Sequence, residues 1–119
     1  MASPKVRKDR AMETQRVLAE LLRELGIEFA DSAGSGRPGR DILNFPGVAI
    51  EVKATAKTPT VMDLKQAERY AAGDLPMVVH RPAGFGPEKI MQWPVTLRLE
   101  QVLGLLRAAD LLPAEVSAE

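Results

Sequence analysis

The spacing of apolar residues changes along this chain from a helical period to a strand period and back, and this change constrains the fold most. In residues 9–25, apolar side chains recur at steps of three and four, which predicts an amphipathic helix that ends at Gly26. Apolar and polar residues then alternate, which predicts three short strands at 27–30, 40–45 and 48–55. The first half therefore predicts one helix followed by three strands.

The second half repeats the alternation of helix and strand. Thr60 and Asp63 have the spacing of a helix start and predict a helix from about Thr60 to Ala72. A buried strand is predicted at 75–81, a further short strand at 89–93 and a final helix at 98–112. The order α-β-β-β-α-β predicts a mixed α/β sheet of four to five strands flanked by helices. With 119 residues, the chain has the length of a single domain, and we expect residues 1–8 and 113–119 to be flexible.

Composition excludes several kinds of site. The chain has no cysteine, which excludes disulfides, thiolate metal sites and a cysteine nucleophile, and it has a single histidine, His80. No apolar run has the length of a membrane span and no secretory signal is evident, so we expect a cytoplasmic protein, in the host cytoplasm if a phage encodes it. The segment Gly34–Gly39 fits G-x-G-x-x-G, but a strand and not a helix is predicted after it, so no nucleotide cofactor is expected.

The charged residues with the clearest chemical meaning lie on and beside the predicted strand 48–55. Alternation along that strand places Glu51 and Lys53 on the face opposite Ile50 and Val52. A three-residue loop, or a bulge with the same effect, would place Asp41 of the preceding strand directly opposite Glu51. Two carboxylates at that separation repel unless a cation lies between them, and this donor set suits Mg²⁺.

The sequence Gly39-Arg40-Asp41, followed after nine residues by Glu51-Val52-Lys53, resembles the PD-(D/E)xK nuclease superfamily. That superfamily has a restriction-endonuclease-like core in the order helix, three strands, helix, strand. The resemblance implies that Asp41, Glu51 and the Val52 carbonyl bind Mg²⁺, with Mn²⁺ as a substitute, and that Lys53 assists the attacking water. In place of the usual proline, Arg40 precedes Asp41.

Further residues follow the order seen in archaeal-type and phage Holliday junction resolvases. The resemblance implies a catalytic role for Glu13, which would support a second metal or the water network. Gln66 and Tyr70 resemble the Gln-x-x-x-Tyr element of RecB-like nucleases. Together with the basic residues, these imply the following DNA contacts: Arg7, Lys8, Ser32, Ser35, Arg37, Arg40, Lys57, Lys65, Gln66 and Tyr70.

The function expected from this resemblance is metal-dependent hydrolysis of DNA, with a homodimer resolving branched DNA such as Holliday junctions. A RecB-like or restriction-type nuclease that acts on linear DNA is the close alternative. A non-catalytic DNA-binding or interaction module that retains the nuclease fold is a second alternative. The formal net charge of +0 favours this last possibility, because resolvases are expected to be basic.

Overall fold

A computed structural model describes residues 3–34 and 36–113. The helices are α1 (Pro4–Glu24), α2 (Val61–Arg69) and α3 (Leu99–Ala108), with a 3-10 helix at Pro87–Gln92. The strands are β1 (Asp31–Ser32), β2 (Ile42–Leu43), β3 (Val48–Lys53), β4 (Leu75–His80) and β5 (Val95–Thr96). The order α-β-β-β-α-β agrees with the one predicted from the sequence, although the first strand lies at 31–32 and not at the predicted 27–30.

The strands form two sheets and not the single larger sheet that was predicted. β3 and β4 are parallel, with Val48 opposite Leu75 and Lys53 opposite His80, and β5 is antiparallel to β4. β1 and β2 form a separate antiparallel pair. The protein is thus a compact α/β fold with a mixed three-stranded sheet, a two-stranded sheet and flanking helices.

Helices cover both faces of the parallel strands, as parallel pairing requires. On one face, Leu18 of α1 belongs to a buried cluster with Ile50 and Val52 of β3, to which Ile42, Val79 and Trp93 also contribute. On the other face, Leu64 and Ala67 of α2 pack with Val78 of β4. Residues Ala49, Glu51 and Lys53 lie on the α2 side because side chains alternate along β3. The charged face predicted from the sequence is therefore largely covered by α2.

The connection between β2 and β3 explains why these strands do not form a ladder. Val48 donates its backbone N–H to the Phe45 carbonyl at 3.2 Å, and Gly47 has φ 82°, so Pro46 and Gly47 form a tight turn. Of the two predicted alternatives, the longer loop is therefore wrong, and the bulge stays a prediction. Asn44, just before this turn, has a left-handed φ of 61°, which ends the regular strand. Asp41 keeps one backbone bond across this gap, from its N–H to the Ile50 carbonyl at 3.0 Å.

The first helix begins earlier than predicted. Ser3 is its N-cap and accepts the Val6 N–H on its hydroxyl oxygen at 3.2 Å, and Pro4 occupies the first helical turn. The segment 1–8 that was predicted to be flexible is therefore helical from Pro4 onward. Residues 1–2, and residues 114–119 of the predicted flexible tail 113–119, lie outside the described residues.

Two of the predicted strands are absent from the described part of the chain. Residues 27–30 form a turn in which Ala30 donates its N–H to the Ile27 carbonyl at 3.1 Å. Residues 89–93 were predicted as a strand, but Pro87 starts a 3-10 helix that continues to Gln92. In both segments the backbone forms hydrogen bonds within local turns, so no neighbouring strand is needed as a partner. No helix among the described residues has the length and apolar character needed to cross a bilayer.

Candidate active site

Two carboxylates lie on β3 and on the chain segment beside it that leads into β2. The Glu51 side chain lies under α2 and is only 7% exposed. Asp41 accepts the backbone N–H of Val52 on Oδ2 at 2.7 Å, so its carboxylate is fixed against the same strand. The negative charge of Asp41 contributes to raising the pKa of Glu51.

Lys53 lies one alternation step beyond Glu51, on the same face of β3. Its Nζ is 3.5 Å from Glu51 Oε1 and 3.5 Å from Asp63 Oδ1. The same Nζ donates to Gln66 Oε1 at 3.3 Å. The ammonium is therefore held between β3 and α2, beside the carboxylate pair.

Asp63 also belongs to this site, although its sequence context predicted only a role at the start of a helix. Its Oδ2 accepts the Thr60 N–H at 2.7 Å and forms the capping box of α2, while Oδ1 faces Lys53. The capping spacing was visible in the sequence. The packing of the first turn of α2 over Lys53 was not, because no local pattern specifies which residue of β3 a helix covers.

Burial controls the electrostatics of the carboxylates. Burial, with a smaller contribution from Asp41, raises the pKa of Glu51 to about 7, although Lys53 acts in the opposite direction. Burial also raises the pKa of Asp41, against the lowering effect of its hydrogen bond from Val52. Two buried acids that resist ionisation together are stabilised by a positive ion between them.

The oxygen donors at this point suit a hard cation. The N–H of Val52 points toward Asp41, and the Ile50 carbonyl also faces the segment that leads into β2. Backbone groups alternate along a strand, which directs the Val52 carbonyl to that edge as well. Within residues 3–34 and 36–113, no group of three or more His, Cys, Asp or Glu side chains is arranged to hold a metal. Two carboxylates, one carbonyl and waters match the preference of Mg²⁺ for few protein ligands.

Glu13 does not join this group. Its Oε1 accepts from Arg81 Nη1 at 2.7 Å, on the α1 side of the sheet. Arg81 is 5% exposed and also donates to Thr14 and to the Phe85 carbonyl, so Glu13 supplies the counter-charge of a buried guanidinium. The partner of Glu13 in the structure is therefore Arg81 and not the predicted metal. The sequence could not predict this contact, because a helix surface acid and an acid that faces a buried arginine have the same local pattern.

Arg40 is also held by the fold. Its guanidinium donates to the Tyr70 carbonyl at 2.9 Å, the Ala71 carbonyl at 2.6 Å and the Val48 carbonyl at 3.3 Å. It forms a salt bridge with Asp74 at 2.8 Å. These contacts connect the end of α2 to β3. The Arg40 guanidinium, which was expected to contact DNA, therefore donates its hydrogen bonds to backbone carbonyls within the protein.

The remaining residues expected to contact DNA are spread over the surface. Gln66 reaches the site through Lys53, whereas Tyr70 is the half-buried C-cap of α2. Ser32 lies in β1, and Ser35 lies outside the described residues. The exposed cations of the set are Arg7, Lys8, Arg37, Lys57 and Lys65. Of these, Arg7 and Lys57 line a cavity that also includes Val52 and Lys53.

Comparisons of this chain with protein-family models, curated proteins and solved structures found no match. Its function must therefore be inferred from the chemistry of the site itself.

Proposed function

We propose that this protein is a metal-dependent endodeoxyribonuclease with a restriction-endonuclease-like core. The observation that supports this most is the pairing of Glu51 with Lys53 at one end of β3, with Nζ 3.5 Å from Oε1, beside Asp41, whose carboxylate accepts the Val52 N–H. Phosphodiester hydrolysis needs a site for a divalent cation, and it benefits from a positive group near the attacking water. These three side chains provide both.

In the proposed mechanism, Asp41, Glu51 and the Val52 carbonyl would hold Mg²⁺ or Mn²⁺, and the ion would supply polarisation of the phosphate and a lower pKa for bound water. The ammonium of Lys53 orients the water and offsets negative charge as it develops on the phosphate oxygens. Gln66 and Asp63 hold Lys53 in place, since each has a side-chain oxygen within 3.5 Å of Nζ. Glu51 must lose its proton before it can bind the cation, so cation binding is coupled to proton release.

Among DNA substrates we favour branched DNA, cut by a homodimer that presents two symmetric sites. The basis of this preference is the resemblance between the order of motifs in this chain and that in junction resolvases. The direct comparison is cleavage of a four-way junction, a linear duplex and a single strand by the same preparation with Mg²⁺. Preferential cutting of the junction supports a resolvase, and preferential cutting of linear DNA supports the RecB-like or restriction-type alternative.

The experiment that tests the site is cleavage by purified Asp41→Asn and Glu51→Gln variants. Each substitution preserves shape but removes one charged ligand, so both variants should lose Mg²⁺-dependent cleavage. Glu20→Gln is the matched control, because Glu20 is an exposed acid of α1. Unchanged cleavage in either site variant would refute the roles assigned to these carboxylates.

A non-catalytic DNA-binding module is the second candidate, and the formal net charge of +0 is the observation in its favour. That candidate predicts that the acidic pair binds no divalent cation. It also predicts that DNA binding, if present, is identical with and without Mn²⁺.

A further inference from the structure

A cavity of about 690 Å³ opens beside the candidate active site. Helix α1 contributes Arg7, Arg10 and Ala11 to its lining, and the end of β3 contributes Val52 and Lys53. The loop after β3 contributes residues 54–57. Val52 and Lys53 are the neighbours of Glu51 along β3, so the cavity lies next to the strand that carries the site.

The charges that line this cavity all have one sign. Most of the cavity surface is apolar, and its lining includes no acidic residue. Three of its cations are Arg7, Arg10 and Lys57, whereas the ammonium of the fourth, Lys53, is held on the α2 side of β3. Within the described residues, Arg7, Arg10 and Lys57 take part in none of the salt bridges. Burial and the neighbouring guanidinium of Arg81 lower the pKa of Arg10, although Glu13 acts in the opposite direction. Arg7, Arg10 and Lys57 together place positive charge around the cavity, which favours the binding of an anion there.

The cavity walls are held in place by side chains that have no other evident role. His80, 5% exposed, lies with Nε2 at 2.7 Å from the Thr55 carbonyl, and Thr55 donates its hydroxyl to the Lys57 carbonyl at 3.2 Å. Across the cavity, Arg10 donates from Nη2 to the Pro82 carbonyl at 2.9 Å. The loop that carries Lys57 and the helix that carries Arg10 are therefore both tied to the end of β4.

We propose that this cavity, which we call the basic cleft, binds the sugar–phosphate backbone of a single DNA strand beside the end of β3. Its volume falls in the range of small-ligand pockets, about 300–1,000 Å³, which suits a short stretch of one strand and not a whole double helix. The proposal rests on the nuclease function for the identity of the polymer. It adds that the substrate is locally unpaired DNA, and that the cleft binds it without a metal.

The test is the salt dependence of binding of a single-stranded oligonucleotide and of its duplex, measured by fluorescence anisotropy in EDTA. Each phosphate contact on a single strand contributes about −0.7 to the slope of log K against log salt. The double variant Arg7→Gln/Lys57→Gln should therefore have a slope shallower by about 1.4 and weaker binding at low salt. The control is Arg16→Gln/Arg107→Gln, which removes two exposed arginines outside the cleft and should leave the slope unchanged.

The outcomes separate the cleft from the nuclease. The cleft assignment is overturned if the wild-type protein does not bind the single strand in EDTA, if duplex is bound more tightly, or if both double variants change the slope equally. Metal-free binding that depends on Arg7 and Lys57, in a protein that never cleaves DNA with Mg²⁺, supports the cleft and refutes the nuclease function. Cleavage that is unaffected in the cleft variant, with an unchanged slope, refutes the cleft and leaves the nuclease function intact.

Discussion

Replacing Glu51 with glutamine should stabilise the metal-free protein at neutral and alkaline pH. The pKa of Glu51 is about 7 in the folded protein and 4.5 in its ordinary state. Because the folded value is the higher one, the folded protein binds the proton more tightly than the unfolded chain. Stability from this group is fully present below about pH 4.5 and is lost as the pH rises through about 7.

The magnitude follows from the same two values. At about 1.4 kcal/mol per pH unit, the difference corresponds to a loss of about 3 kcal/mol of unfolding free energy at pH 8. Glutamine cannot ionise, so Glu51→Gln should avoid this loss of unfolding free energy. The substitution also removes the attraction between Glu51 and Lys53, which reduces the gain. Lys53 still has Asp63 and Gln66 as partners. We expect a net gain of about 2 kcal/mol at pH 8 and little change near pH 4.5.

Urea unfolding of wild type, Glu51→Gln and the surface control Glu20→Gln, in EDTA at pH 4.5 and pH 8, measures this effect. The difference between the two pH values isolates Glu51, because the other titrating groups are shared by the three proteins. An equal or lower stability of Glu51→Gln at pH 8 would show that the carboxylate is not strained by burial, and the electrostatic description of the site would be wrong.

Three other predictions concern residues that support the site. Asp63→Asn retains an oxygen that caps α2 but removes one carboxylate from Lys53. The kcat for DNA cleavage should therefore fall about 10-fold to 100-fold, while KM and thermal stability stay nearly unchanged. A changed KM with an unchanged kcat would contradict this. Arg40→Lys should lose most of the guanidinium hydrogen bonds and cost about 2–4 kcal/mol in urea unfolding, whereas an altered DNA affinity at full stability would restore its predicted DNA contact. Glu13→Gln leaves the buried Arg81 without its counter-charge and should cost about 2 kcal/mol, with cleavage per folded molecule retained; a selective loss of cleavage would return Glu13 to the catalytic group.

The elements that carry the fold were predicted where the apolar pattern is strong. The helix α2, with its capping box, and the strands β3 and β4 were predicted from local periodicity. The parallel pairing of these two strands is a finding of the structure. The segment 27–30 was predicted wrongly, because four residues can alternate in polarity without having a strand to pair with. The early start of α1 was missed because the basic residues after Pro4 were interpreted as a solvated arm, although Ser3 and Pro4 form a helix start.

The site was predictable to the extent that one strand contains it. Glu51 and Lys53 share a face because alternation along β3 requires it. Whether Asp41 approaches Glu51 depended on a turn, and the structure reaches that approach through a side-chain bond to Val52 and not through the predicted ladder. Contacts between distant parts of the chain, such as Glu13 with Arg81, carry no local sequence signal.

Calorimetric titration of the wild-type protein with Mn²⁺ tests directly whether Asp41 and Glu51 form a metal site. Because the pKa of Glu51 is about 7, we expect binding at pH 8 that is about tenfold weaker at pH 6, with proton release. Glu51→Gln and Asp41→Asn should show no binding under the same conditions. If wild-type protein binds no Mn²⁺ at pH 8, or if the variants bind as well as the wild type, the carboxylates do not form a metal site and the proposed hydrolysis has no basis.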